Sequence, residues 1–225
     1  MANTKVLDFW HSRWEEGRHG WHEPAGNQAL QKYWPRLPPG SRVLVPFCGK
    51  SVDLLWLAQQ ELDVTGVELS SIAARSFFAE SGLEYEVDES GGFQWFRNPD
   101  AGIAIACVDY FDFSAAPFDA LYDRAAFSAL PPGKRPEYAR LTRGLLKQGA
   151  FRLLITLEFD DSLVEGPPYP AWPDEVSALW PGLERVEARD DTPNAPPKFL
   201  EAGLDLMIEV GGMTEFAAGN KSVLI

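Results

Sequence analysis

The sequence predicts an α/β fold: one mostly parallel sheet, doubly wound, with helices on both faces. Three observations predict it. From Ser41 onward, apolar runs of strand length alternate with segments of helical periodicity. Proline and glycine punctuate most junctions between them. The opening order is strand–helix–strand–helix, the unit that returns each strand parallel to its neighbour. At 225 residues the chain suits one domain spanning 1–225, with no repeat, low-complexity tract or linker to divide it.

Taken in order, "SRVLVPF" reads as a buried strand bounded by Pro39-Gly40 and Cys48-Gly49. "SVDLLWLAQQ" follows as a helix, with Ser51 as N-cap and Val52, Leu55, Trp56 and Gln59 on one face. "LDVTGVEL" is the second strand, and "SSIAARSFFAESG" a helix capped by Ser70 or Ser71 and stopped by Gly82. "GGFQWFRNPDAGIAIACVDYF" reads as a short hairpin edge and then a strand ending near Val108. Ala120–Tyr122 is a further strand, leading into a loop or short helix. "RPEYARLTRGLLKQG" is a helix stopped by Gly149, and "AFRLLITLEF" an apolar strand, Phe151–Phe159, for the sheet interior. "DDSLVEGPPYPAWPDEV" then holds four prolines. A functional lid around Tyr169–Pro173 and a plain surface excursion share that composition. "ALWPGLERVEARDD" and "GLDLMIEV", either side of a second Pro-rich loop, supply a closing pair of strands.

Composition narrows the partner. The hydrophobic share is 45%, yet no apolar run approaches a membrane span, and the N-terminus has no secretory apolar region. A cytosolic protein with no membrane partner is expected. The formal charge is −13, from 33 acidic and 20 basic residues, and basic pairs such as Lys134-Arg135 are scattered. Such a surface repels phosphate backbones, so a small molecule rather than nucleic acid is the expected partner. With no obvious apolar stripe, a monomer is expected. Cys48, Cys107, His11, His19 and His22 form no CxxC or HExxH spacing, so no metal is expected. The cysteines read as reduced, buried small hydrophobes in preference to a disulfide. Trp10, Trp14 and Trp21 fall within the first 21 residues, either as core packing or as rings covering a flat ligand.

The turn after the first strand carries the chemistry. Lys50-Ser51 suggests a phosphate loop, but Leu44 stands where GxxxxGK[ST] needs its first glycine. Gly49 is the turn's sole glycine, so GxGxxG fails as well, and the ligand should carry no pyrophosphate. Glu68 ends the second strand 19 residues beyond Gly49. An acidic residue there accepts ribose hydroxyls in doubly wound folds. It could instead serve the N-terminus of the next helix, where an anion is favoured. Its place at the end of an apolar strand favours the ribose. A nucleoside without pyrophosphate over a parallel sheet points to S-adenosylmethionine, whose sulfonium suits an aromatic wall.

"FWHSRWEEGRHGWHEP", "VLVPFCGKSVDLLWLA", "VTGVELS", "FFAE" and "YDRAAFSALPP" resemble, in matching order, the signature blocks of the thiopurine S-methyltransferase family, particularly its bacterial form. The resemblance runs from Phe9 to Leu157. It implies a class I, Rossmann-like methyltransferase with a seven-stranded sheet, residues 1–40 covering the site. It also implies methyl transfer from S-adenosylmethionine to the sulfur of aromatic or heterocyclic thiols. By the same resemblance Trp10 and Trp14 cover the cofactor, and Phe47, where the family usually has Leu, lies by its methionine moiety. Glu68 holds the ribose, and Asp109 and Tyr110 meet the adenine. Arg124 is the catalytic arginine at the mouth, toward cofactor or substrate. Trp21 lies beside the acceptor. Lys198 stands about where the family has a substrate-holding arginine, keeping the charge but not the planar fork. Asp123 is expected as a structural partner rather than a base. Halide/thiol methyltransferases share the aromatic start but have a glycine-rich continuation at Lys50-Ser51-Val52. Selenium or tellurium species are alternative acceptors. A nicotinamide-dependent oxidoreductase and a non-catalytic nucleoside-binding module are more distant alternatives.

Overall fold

The computed structural model describes residues 10–17, 23–124 and 126–215. Residues 10–15 are helical (α1), followed by helix α2 (Gln28–Tyr33), strand β1 (Arg42–Pro46), helix α3 (Asp53–Gln59) and strand β2 (Asp63–Glu68). Helix α4 (Ser71–Ser81), strands β3 (Glu86–Ser90), β4 (Phe93–Asn98), β5 (Ile103–Cys107) and β6 (Phe118–Asp123), and helices α5 (Ala126–Ala129) and α6 (Arg135–Gly144) come next. Strand β7 (Leu146–Phe159), helix α7 (Pro173–Leu179), strand β8 (Leu183–Asp190), helix α8 (Pro197–Glu201) and strand β9 (Met207–Thr214) complete the described chain.

The strands form one sheet in the order β3-β4-β5-β2-β1-β6-β7-β9-β8. β5, β2, β1, β6 and β7 are joined by parallel pairings. β9 runs antiparallel between β7 and β8. The seven strands from β5 to β8 are the sheet the resemblance implies. The β3–β4 hairpin adds two more antiparallel to β5, because Phe96 is fully buried and ties the hairpin to the core. The chain builds outward from β1 to β5, then crosses back to place β6 on the other side of β1. That reversal is a topological switch point, where such folds open a crevice at the carboxyl ends of the strands.

Both faces of the sheet are covered. Val43 and Val45 pack with Leu54, Leu57, Phe77 and Phe78, while Leu44 between them packs with Phe127, Tyr138 and Trp180. An interior strand must therefore be apolar at every position, which is why "VLV" shows no alternation. Each such side chain contributes roughly 1.5–3 kcal/mol on burial.

Three local expectations are corrected. In α3 the buried stripe is Asp53, Leu54 and Leu57, whereas Leu55 and Trp56 are only partly covered and Gln59 is exposed. The cause is Asp53: its carboxylate accepts from the Asn27 amide (2.8 Å) and the Tyr122 hydroxyl (2.8 Å), turning that side inward. Ser51 is not the N-cap, a position held by Val52, although its Oγ accepts from the Asp53 N–H at 3.2 Å. Helix α6 ends at Gly144, not Gly149, because Leu145 already pairs with Phe118 (2.8 Å) and draws the chain into β7. Gly149 sits inside that strand at φ +75°, near a register shift in the β6–β7 pairing. The second helix meets expectation: Ser70 occupies the N-cap position and Gly82 the left-handed stop at φ +68°. Cys48 and Cys107 are free thiols. Among the described residues, no helix is long and apolar enough to cross a membrane.

Candidate active site at the carboxyl ends of β1 and β6

Pro46 ends β1, and the chain reverses through Phe47 at φ +48° and Gly49 at φ +53°. A phenylalanine in the left-handed region costs on the order of 1–2 kcal/mol. Its ring is fixed there edge-on to Tyr110 (5.6 Å) and Tyr138 (6.1 Å). The Cys48 amide donates to Val67 O at 3.2 Å, and its sulfur packs on Gly66, where a Cβ would lie 2.5 Å away. The glycine in "VTGVE" is thus demanded by the turn across from it.

Glu68 stands behind this turn, 7% exposed. Its Oε2 accepts from the Gly49 N–H (3.0 Å) and its Oε1 from the Ser70 N–H (2.9 Å). The carboxylate therefore supports the turn and the start of α4 together, the second being the helix role that the sequence offered. A carboxylate has about four acceptor sites, so these backbone donors do not exhaust it. Burial raises the Glu68 pKa, against the pull of the Ser70, Gly49 and Leu69 amides. The Cys48 thiol is pushed well up by burial and then by Glu68, and Cys107 is pushed up to about 12 by the same two causes.

Trp14, 6% exposed, lies over Gly49, where a Cβ would meet its ring at 3.2 Å. Helix α1 thus lies against this turn. Trp10 is half-buried on the same α1. Trp21 lies outside the described residues. Lys50 resolves its puzzle differently from a phosphate loop: its ammonium pairs with Glu80 of α4 at 2.6 Å.

At the end of β5, Asp109 accepts from the Phe111 N–H (3.1 Å) and starts a short 3-10 turn at Tyr110–Asp112. The Tyr110 side chain is buried in the core, its hydroxyl 2.9 Å from Thr142 Oγ1, so only its backbone is placed to meet a ligand. Burial raises its pKa.

Beyond β6, neighbouring residues part company. Asp123 is fully buried; it accepts from the Tyr138 hydroxyl (2.6 Å) and the Phe127 N–H (3.3 Å), a structural partner as expected. Burial pushes its pKa up to about 6, against those two donors. Arg124 turns into the cleft and pairs with Glu23 Oε1. Burial alone would lower the Arg124 pKa, but Glu23, with Tyr122, Asp53 and Glu209, carries the net shift upward. Glu23 Oε2 accepts from Asn27 Nδ2 (3.3 Å), which also reaches both oxygens of buried Glu209 (3.4 and 3.3 Å). Arg189 donates to Glu209 at 3.0 Å. Glu23, Asn27, Asp53, Tyr122 and Glu209 were not singled out by the sequence. "GNQAL" does carry a cap signal for Asn27, whose Oδ1 accepts from the Ala29 and Leu30 amides.

The cleft is lined by Trp14, Glu23, Phe47, Gly49, Tyr122 and Arg124, and encloses about 30 Å³. Lys198 is not among the lining residues. Its ammonium donates to Glu165 O (2.8 Å), and burial, then nearby Arg13 of α1, lower its pKa. The Tyr169–Pro173 stretch is held rather than hinged. Tyr169 and Pro170 carbonyls accept from the buried Arg135 guanidinium (3.0 and 2.8 Å), and Ala171 N–H donates to Leu157 O (2.7 Å). A lid at 169–171 is therefore not supported.

Comparison with solved structures gives the class. The chain covers 95% of itself and 90% of a Burkholderia thailandensis 1,6-didemethyltoxoflavin-N1-methyltransferase solved with S-adenosylhomocysteine, at a TM-score of 0.63 and 16% identity. It also matches the glycopeptide N-methyltransferase MtfA in complex with S-adenosylmethionine, at a TM-score of 0.53 and 14% identity, covering 84% of this chain and 87% of that one. The fold is that of the class I S-adenosylmethionine-dependent methyltransferases.

Residues 5–211 match the family described as Thiopurine S-methyltransferase (TPMT). A thiopurine S-methyltransferase of Bordetella petrii is 45% identical over 207 residues, covering 88% of this chain and 92% of the relative. One of Pseudomonas putida is 44% identical over 208 residues, covering 89% and 95%. The chain belongs to the thiopurine S-methyltransferase family. It is accordingly an S-adenosylmethionine-dependent methyltransferase, as the resemblance implied.

Proposed function

We propose that this chain methylates the sulfur of aromatic or heterocyclic thiols. Family membership supports the acceptor class, and one observation supports the site: a buried glutamate, Glu68, braces the Phe47–Gly49 turn that Trp14 covers. Those residues suit the cofactor. Glu68 keeps acceptor capacity for a sugar diol, Gly49 lets a ligand pass close to the turn, and the indole face favours a cation. S-Adenosylmethionine, when bound, supplies a methyl group already activated by its sulfonium.

The residues of this chain supply binding and position. Glu68 orients the ribose, Asp109 and the Tyr110 backbone flank the adenine, and the Phe47 backbone borders the methionine end. Trp10 and Trp14 exclude water above it. Arg124, on the acceptor side, steadies the thiolate; Trp21 and Lys198 complete the acceptor wall. A heteroaryl thiol is acidic enough that no strong base is needed, which fits Asp123 being committed to Tyr138. Alignment of two bound reactants contributes roughly 7–11 kcal/mol to such a reaction. On this reading residues 1–225 work as one domain, with 1–40 as its cover.

Calorimetric titration with S-adenosylhomocysteine tests the site. Wild type is expected to bind, and Glu68→Ala to bind roughly 10- to 100-fold more weakly, having lost a charged hydrogen-bond acceptor. Equal affinity in the two proteins would remove Glu68 from the site. A labelled-methyl assay across aryl thiols, selenite and tellurite tests the acceptor; transfer confined to selenite or tellurite would overturn the thiol assignment.

A further inference from the structure

A second cavity lies where β7 ends and β9 begins. It encloses about 380 Å³ and shares no lining residue with the cleft. That volume falls within the usual range of a small-molecule pocket. The floor is fixed: Phe159 and Leu204 are buried, and Phe159 packs edge-on against Phe199 at 5.1 Å. The walls are apolar but open, since Leu163, Trp172 and Leu206 are 47%, 49% and 50% exposed. Trp172 is held through its backbone. The Ala171 N–H donates to Leu157 O at 2.7 Å, and the Trp172 carbonyl accepts from the Val176 N–H at 3.0 Å. An exposed indole on a fixed backbone offers a ready face to a ring or a cation.

The charge around this cavity has one sign. Glu158, Asp160 and Asp205 line it, and no lysine or arginine does among the described residues. Glu158 is matched by Arg185 at 3.0 Å, which leaves Asp160 and Asp205 as exposed carboxylates. Asp160 accepts from the Ser162 N–H at 2.9 Å, and the Ser162 amide and hydroxyl hold its carboxyl below the usual range. A second copy of this chain would bring a further net charge of −13 to that acidic rim, and an anionic ligand would be repelled in the same way. We propose that the cavity is a binding site for a small aryl-alkyl ammonium, its ring against Trp172 and its charge met by Asp160 and Asp205. The site is independent of the acceptor that the cleft methylates.

The test uses benzylammonium, with benzyl alcohol and benzoate as neutral and anionic molecules of similar shape. Each is titrated calorimetrically into the full chain, alone and with saturating S-adenosylhomocysteine. Benzylammonium is expected to bind roughly fivefold or more tightly than benzyl alcohol, and benzoate more weakly than either. S-Adenosylhomocysteine should leave that affinity unchanged. Trp172→Leu and Asp205→Asn are each expected to weaken benzylammonium about threefold or more at an unchanged Tm. Glu89→Gln, which removes one charge from exposed β3, should bind as wild type does. Equal affinity for benzylammonium and benzyl alcohol, displacement by S-adenosylhomocysteine, or full binding by Trp172→Leu overturns the site. An equal loss in Glu89→Gln overturns it as well, since attraction to the net charge would then suffice. Failure of wild type to bind S-adenosylhomocysteine would instead touch the reading of the cleft alone.

Discussion

Asp123 and Arg124 are adjacent, and the alternation at the end of β6 sends one into the core and the other into the cleft. That division sets a pH dependence. The Asp123 carboxyl has a pKa of about 6 in the folded chain against 3.8 for the free group. Between those values the folded state holds a proton that the unfolded state has released, so stability falls as pH rises through the window and levels above it. Asp123→Asn lacks this contribution. Its Tm relative to wild type is expected to improve steadily from pH 4 to pH 6 and then stay constant. A Tm difference that does not change over that range would show the carboxyl titrating normally. At this scale the sequence was informative wherever a residue serves its own turn. Glu68 was legible as a buried strand-end carboxylate because strand end and helix start coincide within a few residues. Tyr110 was half legible: its position was found, but not that its ring belongs to the core beside Thr142. Glu23 was invisible, because an ion pair closed by folding leaves no local signal.

Among the elements, the Pro-rich segment is explained by a residue that sequence treats as a surface charge. Arg135, expected as one of a scattered basic pair, is fully buried. It donates to the carbonyls of Phe127, Leu130, Tyr169 and Pro170 and pairs with Glu175 at 2.6 Å. It fastens the chain leaving β6 to the segment leaving β7. Arg135→Ala would strand those carbonyls and the Glu175 charge, a loss of about 3–5 kcal/mol for a broken buried pair. The expected result is a lower urea midpoint and faster protease cleavage near 161–172, while the wild-type segment resists. Rapid cleavage of wild type at that segment would revive the lid. Strands and their order of appearance were readable because hydrophobic runs report burial directly. Helix limits and faces were not: α6 ends where β7 begins pairing, and α3 is rotated by Asp53, both decided by partners remote in sequence.

For the molecule as a whole, the sheet order follows from the crossover at β1, and the crevice at its switch point follows from the sheet. The alternation of strands and helices was enough to foresee a doubly wound arrangement and a hairpin edge beginning at Gly91, though not β3, which is exposed at every residue. The net charge of −13 acts on the whole body. Self-repulsion of that size is relieved by salt, so raising NaCl to about 0.5 M, where the screening length falls to a few ångströms, should raise Tm. A fall would mean that surface ion pairs such as Lys32–Glu187 outweigh the repulsion.

The packing of Cys48 against Gly66 bears on a hazard peculiar to this chemistry. A methyltransferase holds an electrophilic carbon, and a reactive cysteine beside it would compete for the methyl group. Cys48 borders the cleft, yet its thiol is wedged against a glycine and kept in the protonated, non-nucleophilic form by its surroundings, and Cys107 is likewise poorly ionised. A thiol held in that form is a poor nucleophile toward a methyl donor.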